Sequence, residues 1–130
     1  MSASSPTLGL ALVVALAGGV GAVLRALLIH HVGLRQVDPL PLGTMLVNAS
    51  GSLVLGVLTG LSLYHGLGSR TLAVVGVGLC GGYTTWSTAS WETIHLLHIG
   101  HRTRAVVYTV GGLVVCLGAA AAGIGLMALA

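Results

Sequence analysis

No lysine and no phenylalanine occur in these 130 residues, and charge of either sign is scarce at 5% of the chain. A soluble domain is about a quarter charged, so this sequence cannot solvate a water-facing surface. That excludes a soluble enzyme, a nucleic-acid binder and a disordered segment. The formal charge of +3 comes from Arg25, Arg35, Arg70, Arg102 and Arg104. They are scattered, with no basic stripe to follow a phosphate backbone. Asp38 and Glu92 are the only acids, which leaves almost no material for a paired-carboxylate mechanism. No nucleophile–base pair replaces it, so enzyme activity is not expected. Cys80 and Cys116 both fall inside apolar runs. They form neither a disulfide framework nor the paired spacing of a zinc site, and read as small buried hydrophobes. A positive residue is also missing before the first apolar run, which argues against a cleaved signal peptide.

What the chain has instead is apolar length: 55% of its residues are hydrophobic and its mean hydropathy is +1.04. Four runs stand out, at about 8–29, 42–64, 72–97 and 105–129. Each is near the ~20 residues that cross ~30 Å of hydrocarbon as a helix. Lipid offers no partner to backbone groups, so runs of this length are expected to be helical. The expected architecture is all-α: one four-helix transmembrane domain over residues 1–130, with short connections and no extramembrane domain. Pro41 suits the start of the second helix, and residues 65–70 are a turn by composition. Loops one and three carry Arg35, Arg102 and Arg104 against Arg70 in loop two, a slight bias that the positive-inside rule would place in the cytoplasm.

Glycine is abundant, 21 of 130, and small residues recur at helical spacing. Ala11, Ala15, Gly18, Ala22 and Arg25 share one face of the first helix. Asn48, Ser52, Gly56 and Gly60 share one of the second, and Tyr108, Gly112, Cys116 and Ala120 one of the fourth. Small residues let membrane helices approach closely, so polar side chains are expected on packing faces away from lipid. Four helices enclose little interior, and this much packing surface suggests a partner chain.

The third run turns polar in its middle: Gly81-Gly82-Tyr83-Thr84-Thr85-Trp86-Ser87-Thr88. Glycine weakens a helix by about 1 kcal/mol relative to alanine, and hydroxyls offer the backbone competing hydrogen bonds. The spacing predicts a helix broken near Gly81–Thr85; the alternative is a kinked but continuous one. Broken backbone at membrane depth must be buried in protein or line a watery cavity. Freed carbonyls there could hold a small hard cation such as sodium, and freed N–H groups and hydroxyls an anion. Glu92, His95, His98 and His101 are spaced three apart, but a carboxylate-bridged metal site needs more acids than the chain has, and interfacial histidines are the expected role.

Three segments, Gly18–Arg25 (Gly-Gly-Val-Gly-Ala-Val-Leu-Arg), Pro41–Gly51 (Pro-Leu-Gly-Thr-Met-Leu-Val-Asn-Ala-Ser-Gly) and Gly78–Thr88 (Gly-Leu-Cys-Gly-Gly-Tyr-Thr-Thr-Trp-Ser-Thr) followed by Glu92, resemble the Fluc (CrcB-like) fluoride channels. The resemblance spans essentially the whole chain. It implies an antiparallel, dual-topology dimer of four-helix subunits, multi-pass in a prokaryotic plasma membrane, that exports fluoride passively through two pores at the subunit interface. It implies a structural sodium ion at the dimer centre, held by backbone carbonyls that fall on Gly81 and Thr84. The fluoride pathway falls on Asn48, Trp86, Ser87, Thr88 and Tyr108, with Arg25 and Glu92 at a vestibule. A strongly hydrated anion needs close donors, and conduction needs binding weak enough to release it; an amide, hydroxyls and ring edges suit both.

One position departs from the family pattern. Two phenylalanines line the pores of family members, where this chain has Trp86 and Ala89. The indole can present a ring edge and an N–H; Ala89 can present neither. The missing ring leaves open a homodimer with an altered pore, a heterodimer whose second, homologous subunit supplies the ring, and a non-conducting subunit of a larger complex. A small four-helix drug exporter is the rival of another class, but such exporters depend on a glutamate in the first helix, where this chain has Arg25.

Overall fold

The computed structural model describes residues 7–36 and 40–130; the first six residues and Asp38, on which two of the readings above bear, lie outside them. The described chain is helical, with no strand among its residues. Helix α1 spans Leu8–Gly33, α2 Leu42–Tyr64, α4 Trp86–His98 and α5 Arg102–Leu129. Between α2 and α4, residues 69–83 are continuously helical and are called α3. Its ends, Ser69–Thr71 and Gly81–Tyr83, are α-helical, and its body, Leu72–Cys80, is a π-helix. The wider winding is seen where the Gly81 N–H donates to the Gly76 carbonyl, five residues back. Among the described residues α1, α2 and α5 are long and apolar enough to cross a membrane.

Local chemistry sets the ends. The Thr7 hydroxyl accepts from the Leu10 N–H, capping α1. Pro41, which has no N–H to leave unpaired, occupies the N-cap position of α2. After α4 the chain reverses through Gly100 at φ +86°, a left-handed conformation only glycine adopts cheaply. There the Gly100 N–H donates to the Leu97 carbonyl and the His101 N–H to that of Leu96, which closes off the last turn. At the opposite end His65 Nε2 lies 2.8 Å from the Met127 carbonyl and ties the end of α2 to the end of α5.

Two helix pairs are joined by glycine. Helix α1 packs on α3 at Gly18, Gly21, Gly78 and Gly82. A Cβ on Gly78 would stand 2.8 Å from the Val14 carbonyl, one on Gly21 2.8 Å from the Tyr83 N, and one on Gly82 would overlap the Gly18 carbonyl. Helix α2 packs on α5, where Gly56 and Gly60 lie against Ala120, Ile124 and Met127, and Gly123 against Leu53 and Val57. The α2 stripe through Gly56 and Gly60 is thus a packing seam. The α1 stripe needs correction. Its contact face runs through Val14, Gly18, Gly21 and Arg25, while Ala11 and Ala15 are exposed. The seam follows the i, i+4, i+7, i+11 path of α1 that meets Gly78, Gly82 and Tyr83 of α3 rather than the path of the alanines.

The interior is small. Val47, Cys80, Leu96, Ala105 and Tyr108 are buried with Thr44 and Thr85, whereas Leu12, Leu16, Val20, Leu27, Val106, Val114 and many other large apolar side chains face outward. A water-soluble fold inverts that distribution. Large apolar side chains facing outward with buried hydroxyls paired inside suit a hydrocarbon surround.

Candidate functional site

The break lies between α3 and α4 and is two residues long. Gly81–Tyr83 remains helical; Thr84 (φ −81°, ψ 160°) and Thr85 (φ −149°, ψ 122°) are extended. A helix cannot continue through such angles, so the backbone groups around them lose their usual partners, and three side chains take them over. Asn48 of α2 clamps Thr85 with both ends of its amide: Oδ1 accepts from the Thr85 N–H at 2.7 Å, and Nδ2 donates to the Thr85 carbonyl at 2.9 Å. The Thr85 hydroxyl, in N-cap position, accepts from the Thr88 N–H at 3.2 Å and donates to the Thr88 hydroxyl at 3.0 Å. Arg25 Nη1 donates to the Thr84 carbonyl at 3.2 Å. Gly51 makes room for the turn, since a Cβ there would overlap the Thr84 methyl and stand 3.1 Å from the Tyr83 ring.

These bonds decide which groups are left over. In an unbroken helix the Thr85 N–H would bond the Gly81 carbonyl, and the Thr88 N–H that of Thr84. Asn48 and the Thr85 hydroxyl divert both donors. The Gly81 carbonyl is therefore free of its helical partner, and a Cβ on Gly81 would meet nothing within 4 Å. The Thr84 carbonyl keeps one lone pair beside the bond from Arg25. These are neutral, hard oxygen donors, the chemistry that suits a small cation. On the other side of the break α4 opens with the N–H groups of Trp86 and Ser87, which have no hydrogen-bond partner among the described residues. One N–H of Asn48 is likewise over. Unpaired N–H groups at the positive end of a helix attract an anion.

One turn further along α4, Glu92 is held from two sides. The buried Thr44 hydroxyl donates to Oε1 at 2.9 Å and the buried Tyr108 hydroxyl to Oε2 at 2.6 Å. Three helices meet at one carboxylate. Tyr108 sits in a cluster with Leu96 and Ala105, against which Ala89, Leu40 and Met45 pack. Thr93 and Thr109 continue the polar line, hydroxyl to hydroxyl at 3.0 Å.

An open cleft of about 820 Å³ runs along this face. Asn48, Thr84, Thr85, Trp86, Ala89, Thr93 and Tyr108 line it together with Gly81, Ser52 and Gly112. Thus Asn48, Trp86, Tyr108, Gly81 and Thr84 are brought to one wall, with Ser87 and Thr88 in the first turn of α4 beside them. The first apolar run, at about 8–29, puts Arg25 near its far end. Because α1 continues through His30 and His31 to Gly33, Arg25 stands about two turns (~12 Å) inside the helix, and it braces the break. Glu92 is likewise mid-helix and bonded rather than free. His95 stacks on Trp91 with ring centroids 5.2 Å apart and planes 6° apart, and His98 Nδ1 is 3.1 Å from the Ile94 carbonyl. Sequence reasoning missed Thr44 and Thr85 as partners. Thr44 is one turn before Asn48 on the same face of α2, and Thr85 begins the hydroxyl-x-x-hydroxyl pattern of a helix start; both signals were legible.

A search of known families matches residues 12–124 to the CrcB-like protein, Camphor Resistance (CrcB), family. Among curated sequences the chain is 44% identical to "Fluoride-specific ion channel FluC 1" of Leifsonia xyli subsp. xyli, over 92% of this chain and 87% of that one. It is 43% identical to "Fluoride-specific ion channel FluC 2" of Cutibacterium acnes, over 85% of each. It is 41% identical to "Fluoride-specific ion channel FluC 2" of Haloarcula marismortui, over 76% of this chain and 81% of that one.

Proposed function

We propose, on the premise that this chain belongs to the CrcB-like family, that it is a membrane channel which lets fluoride leave the cell down its gradient. The observation that carries the reading is the break at Thr84–Thr85, clamped by Asn48 and opening onto a cleft. An ion pathway through hydrocarbon needs polar groups that are held in place without being consumed by one another. Here the clamp uses one N–H of Asn48 and leaves the second, along with the N–H groups and hydroxyls that open α4.

Helices α3 and α4 together make the fourth span in this reading. The polar face cannot meet acyl chains, so a second four-helix subunit covers it in antiparallel orientation, and the two pores run where the faces meet. Asn48, Ser87, Thr88 and the Trp86 ring edge replace water around the anion. Tyr108 lines the cleft beside them but donates its one O–H to Glu92, so its part is to hold that carboxylate in place. No lysine or arginine side chain is directed at the anion itself: Arg25 is engaged by the Thr84 carbonyl, close enough to favour anion entry and too occupied to trap the ion. At the dimer centre the Gly81 and Thr84 carbonyls of both subunits would hold sodium, which supplies positive charge that rigidifies the crossing of the two breaks.

The test is fluoride efflux from liposomes that contain this chain alone, read with a fluoride electrode. Efflux with little chloride movement supports the channel. No efflux from folded protein, either alone or with a homologous subunit added, overturns it.

A further inference from the structure

Within that channel reading, on which this step rests, we infer that the Thr93 and Thr109 hydroxyls form a second station for the fluoride ion, between the break and the mouth of the cleft, and that Ser90 is the step leading to it. Thr93 Oγ1 lies 2.8 Å from the Ala89 carbonyl, Thr109 Oγ1 2.9 Å from the Ala105 carbonyl, and the two hydroxyl oxygens 3.0 Å from each other. A carbonyl only accepts, and each hydroxyl has one proton to give. Three contacts therefore share two protons, and one contact always lacks its donor. If both hydroxyls turn to their carbonyls, two oxygens face each other with no proton between them. If one turns to the other, its carbonyl loses that bond. The loss is small, because each carbonyl keeps the helical N–H from four residues on. An anion that accepts from both hydroxyls relieves the conflict and leaves neither carbonyl unpaired.

The neighbouring hydroxyls are less available. Those of Thr44 and Tyr108 are buried and engaged by the Glu92 carboxylate, and that of Thr85 is shared within the first turn of α4. Thr93 and Thr109 directly follow Glu92 and Tyr108 in the chain. One crossing of α4 and α5 thus sets the carboxylate inward and the releasable pair on the cleft wall. From Thr85 to Thr93 is about 12 Å of helix, over which the wall of α4 offers Trp86, Ala89 and Ser90. Ser90 is exposed, and its hydroxyl donates to the Trp86 carbonyl at 2.9 Å, a bond as readily given up as those of the threonines. Ser90 and Thr93, three apart, are neighbours on the helix surface. The pair stands about 8–10 Å inside the ends of the two helices, where Ile94 and Val110 make the adjoining wall apolar. Neutral donors that turn to the ion and back again hold it without trapping it. Hydroxyls now 3.0 Å apart must part to admit an ion between them, and a small ion parts them least, which favours fluoride over chloride.

Thr93→Val/Thr109→Val keeps both shapes and removes both donors. Initial efflux from liposomes is measured against fluoride concentration, with chloride efflux alongside. The double variant should raise the half-saturating fluoride concentration about tenfold or more, equivalent to about 1.4 kcal/mol, and lower the fluoride-to-chloride ratio. Thr93→Ser/Thr109→Ser, which returns the hydroxyls, should recover most of both. Ser90→Ala should slow fluoride efflux; an unchanged rate removes Ser90 from the route. A hydroxyl pair that only joins two helices would lower the unfolding temperature of the valine variant and leave its concentration dependence and ion ratio at wild-type values, and that result overturns the station. Where the double variant does not fold, Thr109→Val alone, at the exposed member of the pair, gives the same reading. Wild-type protein that passes no fluoride refutes the channel and the station together, whereas a conducting wild type beside an unaffected valine variant refutes the station alone.

Discussion

Replacing Asn48 by aspartate turns one donor into an acceptor at nearly constant volume. Oδ1 can still accept from the Thr85 N–H, at 2.7 Å in the native chain. The other carboxylate oxygen would face the Thr85 carbonyl across the 2.9 Å that Nδ2 now bridges, and two acceptors at that distance repel. The clamp loses a hydrogen bond worth about 0.6–1.7 kcal/mol in a membrane protein. The pathway also loses the remaining Asn48 N–H, and a donor to a charged group contributes about 1.5–3 kcal/mol. At about 1.4 kcal/mol per tenfold, losing the pathway donor alone should lower fluoride efflux from liposomes at pH 7.5 about 10- to 150-fold, the weakened clamp acting on stability. Acidification gives the sign check. Protonating the new carboxyl restores an O–H donor to the Thr85 carbonyl, so efflux relative to wild type at the same pH should rise as pH falls. Asn48→Ala, with no group to protonate, should stay low throughout. Unchanged efflux of N48D at pH 7.5, from protein with native helix content and elution, would refute the role given to this amide.

Three further outcomes follow from the packing and the bonds. Gly82→Ala should destabilise the fold by about 1–3 kcal/mol in thermal unfolding in detergent, the usual cost of overpacking, because its Cβ meets the Gly18 backbone, which cannot step aside; Gly19→Ala, whose Cβ meets nothing within 4 Å, should be neutral or stabilising. Thr85→Val keeps the shape and removes the N-cap hydroxyl, which should cost about 0.5–2 kcal/mol in the same assay. Tyr108→Phe removes the donor 2.6 Å from Glu92 and should lower fluoride efflux about tenfold or more while leaving assembly intact on size exclusion; wild-type efflux would show that the hydroxyl only packs.

Composition and periodicity were enough for the membrane class, the helical secondary structure and the presence of a polar interruption in the third run, though not for the π-helical winding of Leu72–Cys80. With so little charge and such long apolar runs, no other surround satisfies the backbone. The seam through Gly56 and Gly60 was equally legible, because close helix approach demands small residues at fixed spacing. The course of α1's seam was not. Alanine and glycine both look small in sequence, and only the position of α3 shows that Gly21 is buried while Ala11 and Ala15 are exposed.

The break itself divides the two kinds of knowledge most clearly. The Gly-Gly-Tyr-Thr-Thr run announced that the helix would fail, since local propensity is a property of the residues in the run. Where it failed depended on residues far away in the chain. Gly81–Tyr83 stays helical and Thr84–Thr85 does not, because Asn48, thirty-seven residues earlier, takes both backbone groups of Thr85, and Arg25, fifty-nine residues earlier, takes the Thr84 carbonyl. Local sequence determines that a hydrogen bond is weak; only the tertiary fold determines which distant side chain replaces it, and hence which carbonyls and N–H groups remain for an ion.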